Sequence, residues 1–269
     1  MSEDIKKIRE KIDSLDDDIL DLFNQRAQQA VLIAQEKQKS KKLDNFYNPE
    51  REAQVIRRIQ ELNKGPLSNE SILKLYREVM SACLSLEAPL KVSYLGPEGT
   101  YTQLAAKNHF GSSILSMPNS SVEEVFASVE KRDSHYGVVP VENSTQGIVA
   151  STLDMFMKSS LKISGEIEIL INHNILSNLD SIDSIKKIYA HPQSFSQCKN
   201  WLEKNLPKCE KINSLSNAEA ALIASKEKNS AAIASSVAAD IYKLNILSRN
   251  IEDNHNNSTR FLVIGDRDT

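Results

Sequence analysis

Four charged side chains in the N-terminal third stand where helical patterns call for apolar residues. From Ile5 onward, apolar residues recur in alternating steps of three and four, which is typical of a helix with a coiled-coil seam. The seam continues onto Arg26, and Lys37 lies eleven residues further, on the same face and about 16 Å along the axis. Glu52 and Glu87 extend the apolar stripes of two later helical segments. The pattern thus predicts two cations and two carboxylates within a helical bundle.

A charge at an apolar position loses its hydration, so it needs an opposite charge or a polar ligand. The residues alone leave two interpretations open. The first is an internal salt-bridge network, or a polar device that fixes the register of the bundle. The second is a pocket in the core of the bundle that binds a small anionic molecule, on which Arg26 and Lys37 could converge.

A second group of polar side chains follows the apolar run in "VVPVENSTQG", residues 138–147. Its members are Glu142, Asn143, Ser144 and Thr145. The end of a strand can hold hydrogen-bonding groups where a ligand arrives, whereas a solvated loop would explain the same residues without a function. Thr259 and Arg260 repeat the arrangement, because they precede the apolar run "FLVIG". Two such strand ends in one chain favour a ligand site.

Two regions of different periodicity must position these residues. In the first region, a second helix is predicted to begin after the cap Asn48 and to end near Asn63, and a third to begin after Ser68. After residue 90, short β-rich runs alternate with helical ones. The clearest strands are "KVSYL", "YGVVPV", "LKISGEIEIL", "KKIYA", "AAIA" and "RFLVIG". The sequence therefore predicts a helical domain followed by an α/β domain, with the boundary near residue 89.

The composition excludes several classes of function. The 269 residues carry a net charge of -3 with 40% hydrophobic and 26% charged residues, so no nucleic-acid partner is expected. Apolar runs fall short of the roughly 18 residues that span a bilayer, and no secretion signal precedes the first helix, so no membrane partner is expected. Three cysteines without paired spacing predict reduced thiols and a cytoplasmic protein. Five scattered histidines predict no metal site.

Six segments carry a resemblance to known enzymes. "IREKIDSLDDDILDLFNQRA" and "YNPERE", with Lys37 between them, resemble the all-helical chorismate mutase domain. "GPEGTYT", "VVPVENSTQG", "HPQSFSQC" and "NSTRFLVIG" resemble prephenate dehydratase, in that family's order. The whole chain thus resembles the bifunctional chorismate mutase–prephenate dehydratases of bacterial phenylalanine synthesis. This resemblance implies an all-α mutase domain over 1–89 and a dehydratase domain over 90–269 with two α/β lobes, like periplasmic binding proteins.

For the helical domain, the resemblance implies a pericyclic rearrangement of chorismate to prephenate that needs no cofactor. The implied substrate-binding residues are Arg9, Arg26, Lys37, Asn48, Arg51, Glu52, Cys83 and Glu87, with Lys37 and Glu87 catalytic. Arg9 and Arg26 would hold carboxylates, Lys37 would reach the ether oxygen, and Glu52 would take the hydroxyl. Asn48 has the alternative role of a helix cap alone.

The position of Arg9 predicts a second chain. Arg9 lies seventeen residues before Arg26, about 25 Å along a straight helix, so the two cannot grip one small substrate. We therefore expect Arg9 to serve the site of a partner chain. This fits the homodimer through the helical domain that the resemblance implies.

For the second domain, the resemblance implies that prephenate loses carbon dioxide and hydroxide to give phenylpyruvate in a cleft between the lobes. The implied cleft residues are Thr100, Glu142, Asn143, Ser144, Thr145, His191, Gln193, Gln197, Ser258, Thr259 and Arg260. Thr259 is expected to assist the departing hydroxide as a hydrogen-bond donor. For His191, the roles of general acid and of hydrogen-bonded structural residue both stay open.

Other interpretations of the whole chain remain. One is a helical dimerisation module fused to a two-lobed domain that senses a solute. Another is an enzyme in which one half is inactive. The related enzymes usually continue into a phenylalanine-sensing ACT-type domain, whereas this sequence stops at Thr269, so it is either shortened or an unregulated form. On that basis phenylalanine is expected to leave both activities unchanged.

Overall fold

The computed structural model describes residues 3–39 and 47–266. The chain forms two compact units. The helical unit comprises the described residues up to Leu90 together with Phe110–Leu115, and the α/β unit comprises Lys91–His109 together with the described residues from Ser116 onward. Within this described part, no helix is long and apolar enough to cross a membrane. It also contains no group of three or more metal-ligating side chains that could hold an ion.

The helical unit consists of three helices: α1 (Glu3–Lys39), α2 (Pro49–Leu62) and α3 (Asn69–Ser85). The predicted starts of α2 and α3 are confirmed, because the side chains of Asn48 and Ser68 accept hydrogen bonds from the backbone N–H groups of Arg51 and Ser71. α3 packs against both α1 and α2. These contacts bury alanines of α1 and a cysteine of α3.

The apolar seam of α1 is largely uncovered within one chain. Ile8 is 60% exposed and Ile12 and Leu15 are each 50% exposed. The only buried residues of α1 for which burial is described are Ala30 and Ala34, in its last third. The N-terminal part of α1 therefore presents apolar side chains that its own chain does not cover.

The α/β unit alternates strands and helices. In chain order they are β1 (Lys91–Leu95), α4 (Tyr101–Phe110), β2 (Leu115–Asn119), α5 (Val122–Glu130), β3 (Tyr136–Asn143), β4 (Gly147–Ile148), α6 (Ala150–Phe156), β5 (Lys162–Leu170), β6 (Asn174–Ser177), a 3₁₀ turn (Ile182–Ser184), β7 (Lys187–Ala190), α7 (Pro192–Gln197), α8 (Lys199–Asn205), β8 (Glu210–Asn213), α9 (Asn217–Lys226), β9 (Ser230–Ala234), α10 (Ser236–Tyr242), β10 (Asn245–Ser248) and β11 (Ser258–Gly265).

These strands form two sheets, and each sheet defines a lobe. The sheet of the first lobe has the order β2-β1-β3-β11-β5, with β4 paired to β3. The sheet of the second lobe has the order β10-β6-β9-β7-β8. Helices cover the sheets, and buried clusters centred on Phe126 in the first lobe and on Ile188 and Tyr189 in the second hold the layers together. The expected two-lobed α/β fold is confirmed.

The chain crosses between the lobes twice, through residues 171–173 and residues 249–257. The two crossovers run side by side. The N–H of Ile251 donates to the carbonyl of His173 over 2.8 Å, and the N–H of Ile171 donates to the carbonyl of Asn257 over 2.8 Å. β11 directly follows the second crossover and lies between β3 and β5 in the first sheet. The N-terminal end of β11 therefore lies beside this crossover.

Candidate active sites

A cleft of about 260 Å³ lies between the lobes of the α/β unit. Both lobes and both crossovers contribute to it. Its polar lining residues include Thr100, Tyr101, Thr102, Asn143, His173, His191, Gln193, Ser194, Gln197, Ser216, Asn217, Ser235, Asn257 and Thr259. The apolar part includes Pro140, Ile171, Leu215, Ala218 and Phe261. A cleft with an apolar wall and convergent polar groups is typical of a small-molecule site.

Asn143 and Thr259 lie opposite each other on neighbouring strands, and their geometry fixes the direction of a hydrogen bond. The Asn143 Oδ1 atom accepts from the backbone N–H groups of Thr145 and Gln146, at 3.0 and 3.1 Å. Its Nδ2 atom must therefore be the donor to Thr259 Oγ1, 2.7 Å away. A hydroxyl that accepts one hydrogen bond still has its own proton to donate. Thr259 thus offers that proton to a neighbour other than Asn143.

Asn257, in the second crossover, was missed by the sequence reasoning. It is 3% exposed, and its Oδ1 atom accepts from the hydroxyls of Ser144 and Thr145, at 3.0 and 3.3 Å. Its Nδ2 atom is buried and has no hydrogen-bond partner among the described residues. Ser144 and Thr145 lie outside the described lining and instead hold Asn257. A polar run before β11, "NHNNST", was the available signal.

His173, in the first crossover, was also missed. It lies 1% exposed, and its Nε2 atom is 2.8 Å from Oε1 of Gln197, which is a predicted site residue. Burial lowers the pKa of His173 below its usual value, with an opposing contribution from the bond to Gln197. The ring of Tyr101 packs edge-on against it. Polar residues directly after the apolar strand β5 were the signal, which is the same signal that identified Asn143.

His191 precedes α7 and caps it. The Nδ1 atom of His191 accepts from the backbone N–H of Gln193 over 3.3 Å, and the backbone N–H of His191 donates to Asn217 Oδ1 over 3.0 Å. With Nδ1 as an acceptor, the ring nitrogen left to donate is Nε2. Of the two roles considered for His191, this arrangement favours a hydrogen-bonding residue.

The segment "GPEGT" forms part of a contact between the two lobes of this unit. Gly99 has a left-handed backbone, with φ of +87°, and a Cβ atom there would lie 3.3 Å from that of Ala238. Its carbonyl accepts from the hydroxyl of Ser235 over 2.9 Å. Thr100 follows, lines the cleft and donates to the carbonyl of Leu95 over 3.2 Å. The glycine is therefore required by close backbone approach.

Five predicted residues lie outside the described lining of the cleft: Ser144 and Thr145, which hold Asn257, and Glu142, Ser258 and Arg260. Successive side chains of a strand point to opposite faces, so Thr259 and Arg260 cannot both face the cleft. Arg260 donates to Glu142 over 2.7 Å and to Glu166 over 2.8 Å, and these carboxylates hold its pKa above the usual range. The hydroxyl of Ser258 donates to Glu168 over 2.7 Å.

The lining of the cleft is rich in neutral donors and contains no lysine or arginine among the residues that the structure describes. Side-chain amides, hydroxyls and two histidines are its polar groups, and residues at the start of α9 are among them. The start of a helix also favours negative charge. The cleft therefore suits an anionic ligand held by oriented dipoles.

In the helical unit, Lys37 and Glu87 form an ion pair between the end of α1 and the segment after α3. Nζ of Lys37 is 3.5 Å from Oε2 of Glu87, and only 9% of the Glu87 side chain is exposed. Arg26, Ala30 and Lys37 recur along one face of α1, and Arg26 is half-buried. The buried residues between these two cations are the alanines Ala30 and Ala34.

Glu52 is the second carboxylate of this region. Burial raises the pKa of Glu52, while a hydrogen bond to Tyr47 and the charge of Arg77 oppose the rise. Cys83 is buried in α3, at 6% exposed. Glu52 therefore combines an acceptor with a desolvated setting, which is typical of functional carboxylates.

The remaining predicted mutase residues lie on the surface of the single chain. Asn48 caps α2, as its alternative role requires, and Arg51 donates to Gln54 over 3.3 Å. Arg9 lies on the exposed N-terminal part of α1.

The chain matches two family profiles. Residues 8–88 match the type II chorismate mutases and residues 92–269 match the prephenate dehydratases. A bifunctional chorismate mutase/prephenate dehydratase of Pseudomonas aeruginosa is 47% identical over 268 residues, which cover 98% of this chain and 73% of that relative. This chain belongs to the bifunctional chorismate mutase/prephenate dehydratase family.

Solved structures of prephenate dehydratases resemble about two thirds of this family member. The enzyme from Arthrobacter aurescens, in complex with L-Phe, has a TM-score of 0.62 and 27% identity, over 67% of this chain and 61% of that one. The enzyme from Staphylococcus aureus has a TM-score of 0.56 and 32% identity, over 67% of this chain and 68% of that one. The bifunctional family thus accounts for both units of the chain.

Proposed function

We propose that the chain converts chorismate to prephenate in its helical domain, residues 1–89, and prephenate to phenylpyruvate in its α/β domain, residues 90–269. These two reactions are successive steps of phenylalanine biosynthesis. The observation that carries the proposal for the cleft is the directed hydrogen bond from Asn143 to Thr259. It leaves the Thr259 proton to a ligand, as the removal of a hydroxyl requires.

In the dehydratase step, the bond between the ring and one carboxylate breaks and its electron pair enters the ring. The bond between the ring and the hydroxyl oxygen then breaks with its pair on oxygen, so carbon dioxide and hydroxide leave and the ring becomes aromatic. Negative charge moves from the carboxylate to the departing oxygen. Thr259 donates to that oxygen and stabilises the charge that develops there. The released hydroxide takes a proton from solvent and becomes water.

The neutral lining fits this movement of charge. An arginine paired with the departing carboxylate would stabilise the ground state more than the transition state, which slows the reaction. Amide and hydroxyl donors bind the dianion more weakly and keep their strongest effect for the departing oxygen. Gln197 and Asn257, each with its oxygen already bonded, would present N–H groups to the substrate.

In the mutase step, the protein holds a dicarboxylate in its compact reactive conformer and stabilises charge on the breaking ether bond. Arg26 and Lys37 would bind a carboxylate and the ether oxygen, and Glu52 would accept from the substrate hydroxyl. The ion pair of Lys37 and Glu87 brings these two groups to one place before substrate arrives.

We place the mutase site in a homodimer. The apolar seam of α1 is about half exposed, and a second copy of the same helix is the partner that its own coiled-coil pattern fits. Arg9 would then reach the partner's site. The three free cysteines, two of them buried, support a cytoplasmic location, because reduced thiols persist there.

Two assays and two variants test the proposal. Purified protein should consume chorismate and should form phenylpyruvate from added prephenate. Thr259→Val should abolish only the second activity, and Arg26→Ala only the first. A protein that binds prephenate without converting it would be the solute-sensing alternative. Loss of both activities in either variant, with an unchanged circular dichroism spectrum, would contradict two separate sites.

A further inference from the structure

His173 makes one side-chain hydrogen bond, and its partner is the amide of Gln197 in the cleft. The Nε2 atom of His173 lies 2.8 Å from Gln197 Oε1. The Nδ1 atom is buried without a partner among the described residues. With Oε1 of Gln197 as the acceptor, Nε2 of the neutral ring carries the proton.

A buried ring with one unpaired nitrogen destabilises the fold, because that atom has lost its water. An apolar side chain of similar size would fill the space without this loss. Among the described residues, the polar group that the His173 ring meets is the side-chain amide of Gln197. We propose that His173 is a positioning residue of the dehydratase site, which fixes the Gln197 amide so that its Nε2 atom donates to prephenate.

The surroundings hold both partners of this bond in place. The backbone N–H of His173 donates to the buried carboxylate of Glu252 over 2.8 Å, and the backbone N–H of Asp253 donates to the backbone carbonyl of Gln197 over 2.7 Å. Both Glu252 and Asp253 belong to the second crossover. The ring of Tyr101 fixes the plane of the imidazole from a third side. In the Nε2–H tautomer, which leaves the unpartnered Nδ1 atom as an acceptor, rotation of the Gln197 amide by a half-turn would bring two N–H groups together, so this tautomer excludes that orientation.

This inference rests on the proposed dehydratase function, since it assigns the substrate contact of the same cleft. It predicts that the effect of His173 on turnover passes through Gln197. A mere packing role would make every polar replacement of His173 similarly harmful.

Two neutral replacements of His173 separate these roles. In His173→Gln the amide nitrogen can occupy the place of Nε2 and donate to Gln197, whereas in His173→Asn it can reach only the place of Nδ1. We expect kcat/KM for prephenate to fall about 100-fold in His173→Asn, as for a misplaced catalytic group, and less than about threefold in His173→Gln. Chorismate mutase activity and circular dichroism should be unchanged in both.

A Gln197→Leu background provides the second test. If His173 acts through Gln197, adding His173→Asn to Gln197→Leu should lower kcat/KM less than about threefold further. Equal losses in the Gln and Asn variants, or a full 100-fold additional loss in the double variant, would overturn the inference. Absence of prephenate turnover by the wild-type protein would instead overturn the proposed function. If His173→Asn does not fold, the double variant that combines His173→Gln with Gln197→Leu provides the test. Full prephenate turnover by that double variant would refute the inference.

Discussion

The Asn143–Thr259 pair allows the direction of a single hydrogen bond to be reversed without changing the shape of the site. Asn143→Asp keeps the acceptor for the N–H groups of Thr145 and Gln146 but replaces the Nδ2 donor by an oxygen. Thr259 would then donate its proton to the new carboxylate, across the present distance of 2.7 Å. The hydroxyl would no longer donate to the departing oxygen of prephenate.

The expected fall in kcat follows from the loss of the hydrogen bond that Thr259 donates to the departing oxygen. The expected change in stability follows from the hydrogen bond between positions 143 and 259, which is kept. Loss of one aligned donor to a developing oxyanion costs about 100-fold to 1,000-fold in kcat, or about 3–4 kcal/mol. The hydrogen bond between the two strands persists in reversed form, so the free energy of unfolding should change by less than about 1 kcal/mol. Because the new carboxylate also repels a dianion, KM for prephenate should rise.

The assay is phenylpyruvate formation by Asn143→Asp, by Thr259→Val and by the double variant, with Thr259→Ser as the matched control that keeps a hydroxyl. If Asn143 acts by directing the Thr259 proton, the double variant should be no slower in kcat than Thr259→Val alone. A kcat of Asn143→Asp within threefold of the wild type would refute this account. So would a double variant that is another 100-fold slower.

Four further predictions concern the helical unit. Glu52→Gln should lower mutase kcat/KM about tenfold, the value of one hydrogen bond. The pKa of Glu52 is higher in the folded state than in the unfolded state, so the folded state binds the Glu52 proton more tightly. The free energy of unfolding of the wild type should therefore fall as pH rises above the pKa that Glu52 has in the unfolded state. Urea unfolding from pH 4 to 8 should show this fall in the wild type, while parallel curves for Glu52→Gln and the wild type would contradict it. Refolding a mixture of Arg9→Ala and Arg26→Ala chains should restore mutase activity, because one heterodimer site keeps both arginines; no recovery after proven mixing would place each site within one chain. We expect Glu87, as the neighbour of Lys37, also to lie at the ether oxygen, where an amide can donate, so Glu87→Gln should keep substantial mutase activity; an inactive, folded variant would make Glu87 the ion-pair partner of Lys37 alone.

The sequence predicted those elements whose own residues determine their structure. The starts of α2 and α3 follow from local caps, and each long apolar run became a strand. The strands that were missed are β2, β4, β6, β8 and β10. β6 and β10 have the same four residues, "NILS", which are too few to show an alternation. They are strands because they pair with each other in the second sheet, which is a tertiary effect.

The candidate site in the α/β unit was predictable where a strand end carried it. The sequence predicted Asn143 and Thr259 as site residues because each is a polar residue at the end of an apolar run. The structure joins their side chains by a hydrogen bond. Arg260 was grouped with Thr259 because sequence adjacency does not show which face of a strand a side chain takes. His173 and Asn257 lie in the crossovers, and their proximity to the cleft depends on how the chain passes between lobes.

A cleft whose described lining contains no lysine or arginine has a consequence for ionic strength. Dissolved ions screen full charges over a Debye length of about 8 Å at physiological salt, while short hydrogen bonds from neutral donors in a desolvated cleft are screened much less. The proposed mutase site relies on the guanidinium of Arg26 and the ammonium of Lys37, so added salt should weaken its hold on a dianion. Raising potassium chloride should therefore increase KM for chorismate more than KM for prephenate. A cell whose ionic strength rises would lose flux at the first reaction of this chain before the second.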